Sequence, residues 1–474
     1  MAEKNTGEII GEKISRRAAL RNISLFGVGL PIVQIMGEAE LHPQMSESKS
    51  GGVMVAKPAF SVGERDRRWE AVRRIMAKPQ WNLDALLAPS NSDGAYPRYL
   101  TQIGGRGGSA DVILSRESSK PVFAFTGSGR NKSFWSKRLT SWTSDGKLVI
   151  NDGEGSKPVV EQLKSLGLNK AGTRIGVAKL TGSRFDPEGM VSATYLDNLR
   201  SALPGVVFLP VEKWGSDSGP IDEPAMVKSA EEHDAIRRSV AAGEKAIETI
   251  ARVARSSAKQ QADIWFPTFT AMFLQTGEDP TRLSISLDEA SNSTLGAPVD
   301  DPVKAGQIIS QEIDATAQGY RAQVNHSIFV GGPNTPGFNY YKAAMEAATK
   351  ALLDSIAFIT PGKTTCGQLV DHYAETVEKL NAEDRSGVVL HSSGIGNLSR
   401  PRLGPANSRG DSEIALVPGM TFDFKPAIRL KRHAIEDVRR ENRIVQIGEH
   451  YLITDKGAVR LGKRELKPLT TEAV

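Results

Sequence analysis

From Glu64 onwards the chain alternates runs of helical periodicity with short runs of strand type. Elements with one apolar side have to be layered against one another, so this alternation constrains the fold more than any other feature. Residues 64–76 open as a helix with Val72, Ile75 and Met76 on one face. Residues 83–88 read as a short buried strand, and residues 98–101 as a strand ending in the Gly104-Gly105 turn. Residues 112–114 and 122–125 read as a hairpin around a polar Ser/Lys turn. Helices and strands alternate as far as about Val211, and then Ser216 to Pro224, rich in Ser, Gly, Asp and Pro, marks a linker. After it, Ser229-Ala230-Glu231-Glu232 is a capping box. Ile236, Val240, Gly243, Ile247, Ile250 and Ala254 then form the apolar stripe of a long helix. A second helix is predicted over 340–358, stopping at Thr360-Pro361-Gly362, and a third runs from a Thr365/Gln368 cap to about Leu380. Strands are predicted at 308–313, 322–330, 388–391, 420–425 and 443–447. The chain therefore reads as α/β (α+β) with two domains, 61–215 and 224–474.

The 474 residues suffice for two separate cores. With 60 Lys+Arg against 55 Asp+Glu, the formal charge is only +5, and no basic stripe is interleaved with aromatics, which excludes a nucleic-acid partner. One cysteine, Cys366, excludes an intrachain disulfide and a Cys-based zinc cluster. Near the N-terminus, Arg16-Arg17 precedes an apolar run over 23–36 that holds Pro31 and is too short to span a bilayer comfortably. This reads as a Tat-type signal peptide over 1–39, with Gly37-Glu38-Ala39 as the cleavage site and a flexible linker over 40–60. The expected location is periplasmic or secreted, with no membrane association after cleavage.

Several phrases, in order and spacing, resemble the pita-bread family of creatinase, prolidase, aminopeptidase P and methionine aminopeptidase. They are Tyr99-Leu100-Thr101, the helix start Lys228-Ser229-Ala230-Glu231-Glu232, Gly319-Tyr320, Phe329-Val330-Gly331, Pro361-Gly362-Lys363-Thr364, Gly394-Ile395-Gly396, Pro418-Gly419-Met420 and Leu452-Ile453-Thr454. The resemblance implies a creatinase-type N-terminal α/β domain followed by a C-terminal pita-bread domain. It also implies a homodimer. Peptidases of this family hold two divalent metals with Asp, Asp, His, Glu and Glu, in chain order. The matched phrases place those five at Glu312, Gln323, Ser393, Lys425 and Glu441, so only the last keeps the family's residue. The family's activating histidine aligns closest to Ala297.

Those five side chains sum to one negative charge where two divalent cations carry four positive ones, and amide and hydroxyl groups replace poorly a bridging carboxylate and an imidazole. No metal and no other cofactor is expected. Strand alternation sets Asp314 beside Glu312, Asn325 beside Gln323, and Asp423 beside Lys425, while His391 and Arg439 stand two residues before Ser393 and Glu441. By the same parity His326 faces away. The leading expectation is an exported, metal-independent hydrolase acting on a C–N bond of a small polar molecule or short peptide. His391 would be its general base, oriented by Glu441 or Glu312. Gln323, Asn325, Ser393, Asp423, Lys425 and Arg439 would bind substrate. Two alternatives stand beside it: a catalytically inactive relative that binds a small molecule or peptide, and a metal-dependent Xaa-Pro aminopeptidase with its ligands elsewhere. Arg400 and Arg402 sit in a Pro-rich rim segment and read as a solvated loop or as contacts for an acidic substrate.

Overall fold

The computed structural model describes residues 60–90, 94–181, 188–211, 219–256, 258–288, 296–396, 400–404, 410–431 and 443–472. The expected signal peptide, most of the 40–60 linker, and Arg439 and Glu441 lie outside them. Ala56–Val474 forms one compact unit.

The first lobe contains helices α1 (Val62–Met76), α2 (Ala95–Thr101), α3 (Gly129–Arg138), α4 (Thr140–Thr143), α5 (Ser156–Ser165) and α6 (Ala193–Ala202). Its strands are β1 (Ala85–Ala88), β2 (Asp111–Ser115), β3 (Val122–Phe125), β4 (Leu148–Asn151), β5 (Arg174–Val177) and β6 (Val207–Pro210). They form one sheet in the order β4-β3-β2-β1-β5-β6. The hairpin pairing of β2 with β3 is as expected from the sequence, with Asp111 opposite Phe125. Residues 98–101 are helical, not a strand. An apolar run of four does not carry enough period to separate the two. Here the helix wins because Pro97 falls in its first turn, where no N–H is needed. Trp69 Nε1 also donates to Leu100 O at 2.7 Å, fixing the turn against α1.

The second lobe opens with α7 (Asp222–Met226) and α8 (Ala230–Ser256), followed by α9 (Gln261–Thr276), α10 (Phe338–Ala357) and α11 (Cys366–Lys379). The capping box holds reciprocally, Ser229 N donating to Glu232 Oε2 at 2.7 Å and Glu232 N to Ser229 Oγ at 3.2 Å. Thr365 and Gln368 cap α11 in the same way. The strands are β7 (Arg282–Leu287), β8 (Ile308–Ala317), β9 (Tyr320–His326), β10 (Ile328–Phe329), β11 (Ala382–Asp384), β12 (Leu390–Ser392), β13 (Arg402–Leu403), β14 (Thr421–Phe424), β15 (Ala427–Leu430), β16 (Val445–Thr454), β17 (Gly457–Arg460) and β18 (Leu469–Thr470). The sheet runs β13-β12-β14-β16-β9-β8-β10-β18, with β7 added to β8. The single strand expected over 322–330 is two strands, and the one expected at 443–447 continues to Thr454. Helix α9 carried no clear period in the sequence, being apolar on most of its circumference, whereas β7 alternates polar and apolar residues from Arg282 to Leu287, the period of a strand.

Helix α8 lies on β8 and β9. Gly243 permits this approach, because a Cβ there would stand 2.3 Å from Val324 Cγ2. The two lobes meet at a buried charge cluster. Glu232 accepts from Arg67 Nη2 at 2.7 Å and from the Tyr320 hydroxyl, and Arg68 Nη2 lies 3.6 Å away. Among the described residues no helix is long and apolar enough to cross a membrane.

Candidate functional site

Cross-strand register brings the polar residues of the second lobe into one row across the sheet. His391 on β12 stands opposite Arg402 on β13 and Asp423 on β14. Asp423 stands opposite His450 on β16. On β8, Asp314 stands opposite Gln323 of β9 and Arg282 of β7. A second row, one step along the strands, holds Lys425, then Gly448 opposite Asn325. A sheet buried on both faces is normally apolar throughout, so these rows mark the site. The sequence placed Glu312, Gln323, Asn325, His391, Asp423 and Lys425 on one face, and the structure joins them. It adds Arg282, Arg321, His450 and Gly448, which no matched phrase indicated; i, i+2 parity with Gln323 on β9 pointed to Arg321, and no local signal pointed to Arg282 on β7 or to His450 and Gly448 on β16.

At the centre Lys425 Nζ donates to Gln323 Oε1 at 2.6 Å and to Glu312 Oε1 at 3.1 Å. Gln323 Nε2 donates to the same Glu312 oxygen at 2.7 Å. Arg282 Nε closes the carboxylate from the rim, 2.9 Å from Glu312 Oε2. Burial pushes the Glu312 carboxyl up, but Lys425 and then Arg282 outweigh it and hold it at about 2. To reach these partners the lysine side chain crosses the position of Gly448. A Cβ on Gly448 would stand 3.0 Å from Lys425 Cβ and 3.2 Å from Asn325 Cβ, so the missing side chain on β16 makes room for the ammonium. The residue that β16 presents between Lys425 and Asn325 is thus Gly448, not an acid.

Lys425 also fixes the chemistry of His391. An ammonium only donates and an ionised carboxylate only accepts, so the amide of Gln323 has one orientation, with its oxygen toward Lys425. His391 Nε2, 2.8 Å from that oxygen, must then carry a hydrogen and donate it. Nδ1 lies 3.1 Å from Ser392 O and 2.8 Å from Asp423 Oδ1, although the angles of the carboxylate contact depart from a straight hydrogen bond. The acid beside His391 is therefore Asp423 and not Glu312, while Glu441 lies outside the described residues. Burial, with Lys425 next, drives the His391 imidazolium well below its ordinary range, while burial lifts the Asp423 carboxyl to about 6. Both shifts favour a neutral ring beside a readily protonated acid. The neutral ring has its Nε2 hydrogen committed to Gln323, so it does not present a free base to the site.

Ser393 Oγ is 3.5 Å from His450 Nδ1. Burial keeps that ring neutral, its imidazolium pushed down to about 3. Arg321 Nη1 pairs with Asp314 Oδ2 at 3.0 Å. His326 faces away as parity required, its Nε2 2.8 Å from Lys467 O. Arg400 is tied to Asp411 rather than free in solvent. Ala297 contributes only its carbonyl, accepting from Gln261 Nε2 at 3.3 Å. Asn325 is wholly buried, yet neither end of its amide has a partner among the described residues. An unmet buried polar group costs about 1–3 kcal/mol. Among the described residues no group of three or more His, Cys, Asp or Glu side chains is arranged to hold a metal ion.

Residues 229–455 match metallopeptidase family M24. A Xaa-Pro dipeptidase from Pyrococcus furiosus is 23% identical over 336 residues, covering 68% of this chain and 88% of that protein. A methionine aminopeptidase from Chlamydia pneumoniae is 28% identical over 165 residues, or 34% of this chain; the match spans 53%, about half, of that relative's length. Among solved structures, a Xaa-Pro dipeptidase from Bacillus anthracis superposes with a TM-score of 0.63 at 16% identity, covering 86% of this chain and 99% of its own.

Proposed function

We propose, from the premise that this chain carries a metallopeptidase family M24 domain of the creatinase and Xaa-Pro peptidase type with the pita-bread fold, that it is a metal-independent member. Its polar site face binds a small polar molecule or short peptide without metal-activated water. One observation carries this reading: the Lys425 ammonium lies 3.1 Å from Glu312 and 2.6 Å from Gln323, among the positions that the family's sequence pattern assigns to ligands. An ammonium repels a divalent cation 4 Å away by about 8 kcal/mol at an effective dielectric of about 20. With Glu312 already paired twice and Gly448 on the last strand, the described residues do not fit two such ions. The test is metal analysis of purified protein, before and after incubation with Mn²⁺, Co²⁺ and Zn²⁺. Retention well below one equivalent is expected, and about two equivalents per chain would overturn the reading.

A second reading, metal-free hydrolysis of a C–N bond, is favoured by Asp423 lying 2.8 Å from His391 Nδ1, since an oriented imidazole is how a general base is built. It requires substrate to take the place of Gln323 at Nε2 and the ring hydrogen to move to Nδ1, beside Asp423. Turnover of amidines, ureas or Xaa-Pro peptides that His391→Gln abolishes would establish it; no turnover leaves the binding function alone. Export rests on Arg16-Arg17 and is tested by replacing both with Lys, which should retain the protein in the cytoplasm. Homodimerisation rests on the family resemblance and is tested by sedimentation.

A further inference from the structure

The first lobe holds a cavity of about 260 Å³, away from the polar rows of the second-lobe sheet. Asp66, Trp69, Glu70 and Arg73 line it from one face of α1, at the i, i+3, i+4, i+7 spacing of a helix. Lys120 and Lys147 line it from the opposite side. They precede β3 and β4, which start side by side, Val122 N donating to Lys147 O at 2.7 Å.

Its arginine sets this cavity apart. Five arginines are buried among the described residues: Arg65, Arg68, Arg73, Arg321 and Arg443. Four have a carboxylate at ion-pair distance, Arg65 with Asp66 and Asp145, Arg68 with Glu64, Arg321 with Asp314, and Arg443 with Asp288. Arg73 has none among the described residues. Its Nε donates to Ser115 O at 2.9 Å, and its two Nη groups, with no partner among the described residues, open onto the cavity. Burial presses the guanidinium below its ordinary range, opposed by Glu70 and Asp66 from beyond ion-pair distance. A buried cation without a counterion is costly, and a bound anion offsets that cost.

The geometry selects the anion. With Nε committed to Ser115 O, the remaining donors form the end-on Nη fork, whose parallel N–H groups match the two oxygens of a carboxylate. Arg73, Lys120 and Lys147 stand against Asp66 and Glu70, three cations to two anions, a net +1. One carboxylate balances that charge, and a phosphate monoester of charge about −2 overshoots it. Asp66 is already met by Arg65 at 2.8 Å, and Lys147 reaches Asp66 only at 3.5 Å, which leaves the lysine close to a second anion. The indole of Trp69 supplies an apolar wall.

We propose that this cavity binds a small organic monocarboxylate, held bidentate by the Arg73 Nη fork, with Lys147 beside it and its apolar body on Trp69. The site lies wholly within residues 66–147, so the metal content of the second lobe does not bear on it.

The full chain is titrated calorimetrically with acetate, butyrate and benzoate. Benzamide and succinate serve as the neutral and doubly charged controls. Butyrate or benzoate should bind roughly 10- to 100-fold more tightly than benzamide, the worth of a charge-assisted hydrogen bond, and more tightly than succinate. Arg73→Met keeps the apolar stem, removes the fork and should erase that preference. Should that variant fail to fold in thermal melts, Lys147→Ala changes a side chain that is 56% exposed and should still weaken carboxylate binding roughly two- to fivefold. Four results would each overturn the proposal: no binding of any monocarboxylate, equal binding of benzoate and benzamide, succinate binding the tightest, or a preference that survives Arg73→Met. Where Arg73→Met does not fold, unchanged binding in Lys147→Ala overturns it equally.

Discussion

Replacing Lys425 by Met tests whether the ammonium is what holds the site together. The methionine keeps the apolar stem that crosses Gly448 and removes only the charge and its donors. Glu312, with a side chain 15% exposed, would keep Arg282 and Gln323 but lose its closest buried cation. Breaking a buried pair from one side costs about 3–5 kcal/mol, and the surviving contact to half-exposed Arg282 reduces this to about 2–3 kcal/mol. A second route agrees. The fall of the Glu312 carboxyl from 4.5 to about 2 is worth about 3 kcal/mol from all its partners together, Lys425 the largest of the favourable ones. The sign fixes the pH dependence. A folded-state pKa below the unfolded value contributes stability that is present above about 4.5 and lost as the pH falls toward 2. Urea unfolding followed by circular dichroism should show the variant about 2–3 kcal/mol weaker at neutral pH, with the gap closing as acid protonates Glu312 in both proteins. A gap below about 0.5 kcal/mol at neutral pH, the range of an inert surface change, or one that does not narrow in acid, would show that Lys425 and Glu312 are not coupled as described.

Other consequences are measurable in the same way. Gly448→Ala should cost about 1–3 kcal/mol by crowding the Cβ atoms of Lys425 and Asn325. Asp423 has a folded-state pKa raised from 3.8 to about 6 by burial, so it contributes stability that grows as the pH falls between those values. Asp423→Asn should remove that increment from a series of unfolding curves over the same window. Glu232→Ala should destabilise by about 3–5 kcal/mol, because it leaves Arg68 buried without its interlobe carboxylate. Since Arg68 retains Glu64, thermal melts should place the loss toward the lower end of that range.

Much of the fold was legible because its signals are local. Ser229, Thr365 and Gln368 cap helices by reaching three residues along their own chain, and the stripe from Ile236 to Ala254 is a helix whatever it packs against. Where a run was short, as at 98–101, period alone could not separate strand from helix, and Trp69 bonding to Leu100 O joins residues 31 apart. In the site, parity within each strand correctly grouped Glu312 with Asp314, Gln323 with Asn325, and Asp423 with Lys425. Parity says nothing of which strands are neighbours. The sequence reading set Glu441 or Glu312 beside His391 as orienting acid, whereas β12 lies against β14 and puts Asp423 there.

The sequence alone determined that a lysine stands where the resemblance calls for an acid, and that amide and hydroxyl groups replace two further ligands; composition at aligned positions is a property of the chain and needs no coordinates. Only the tertiary structure decided where that ammonium goes. Its course over Gly448 to Gln323 and Glu312 joins β14, β16, β9 and β8, strands brought side by side by connections of very different length. Such contacts depend on strand order and register, which arise from burying the whole sheet under its helices, and no window of sequence around Lys425 contains them.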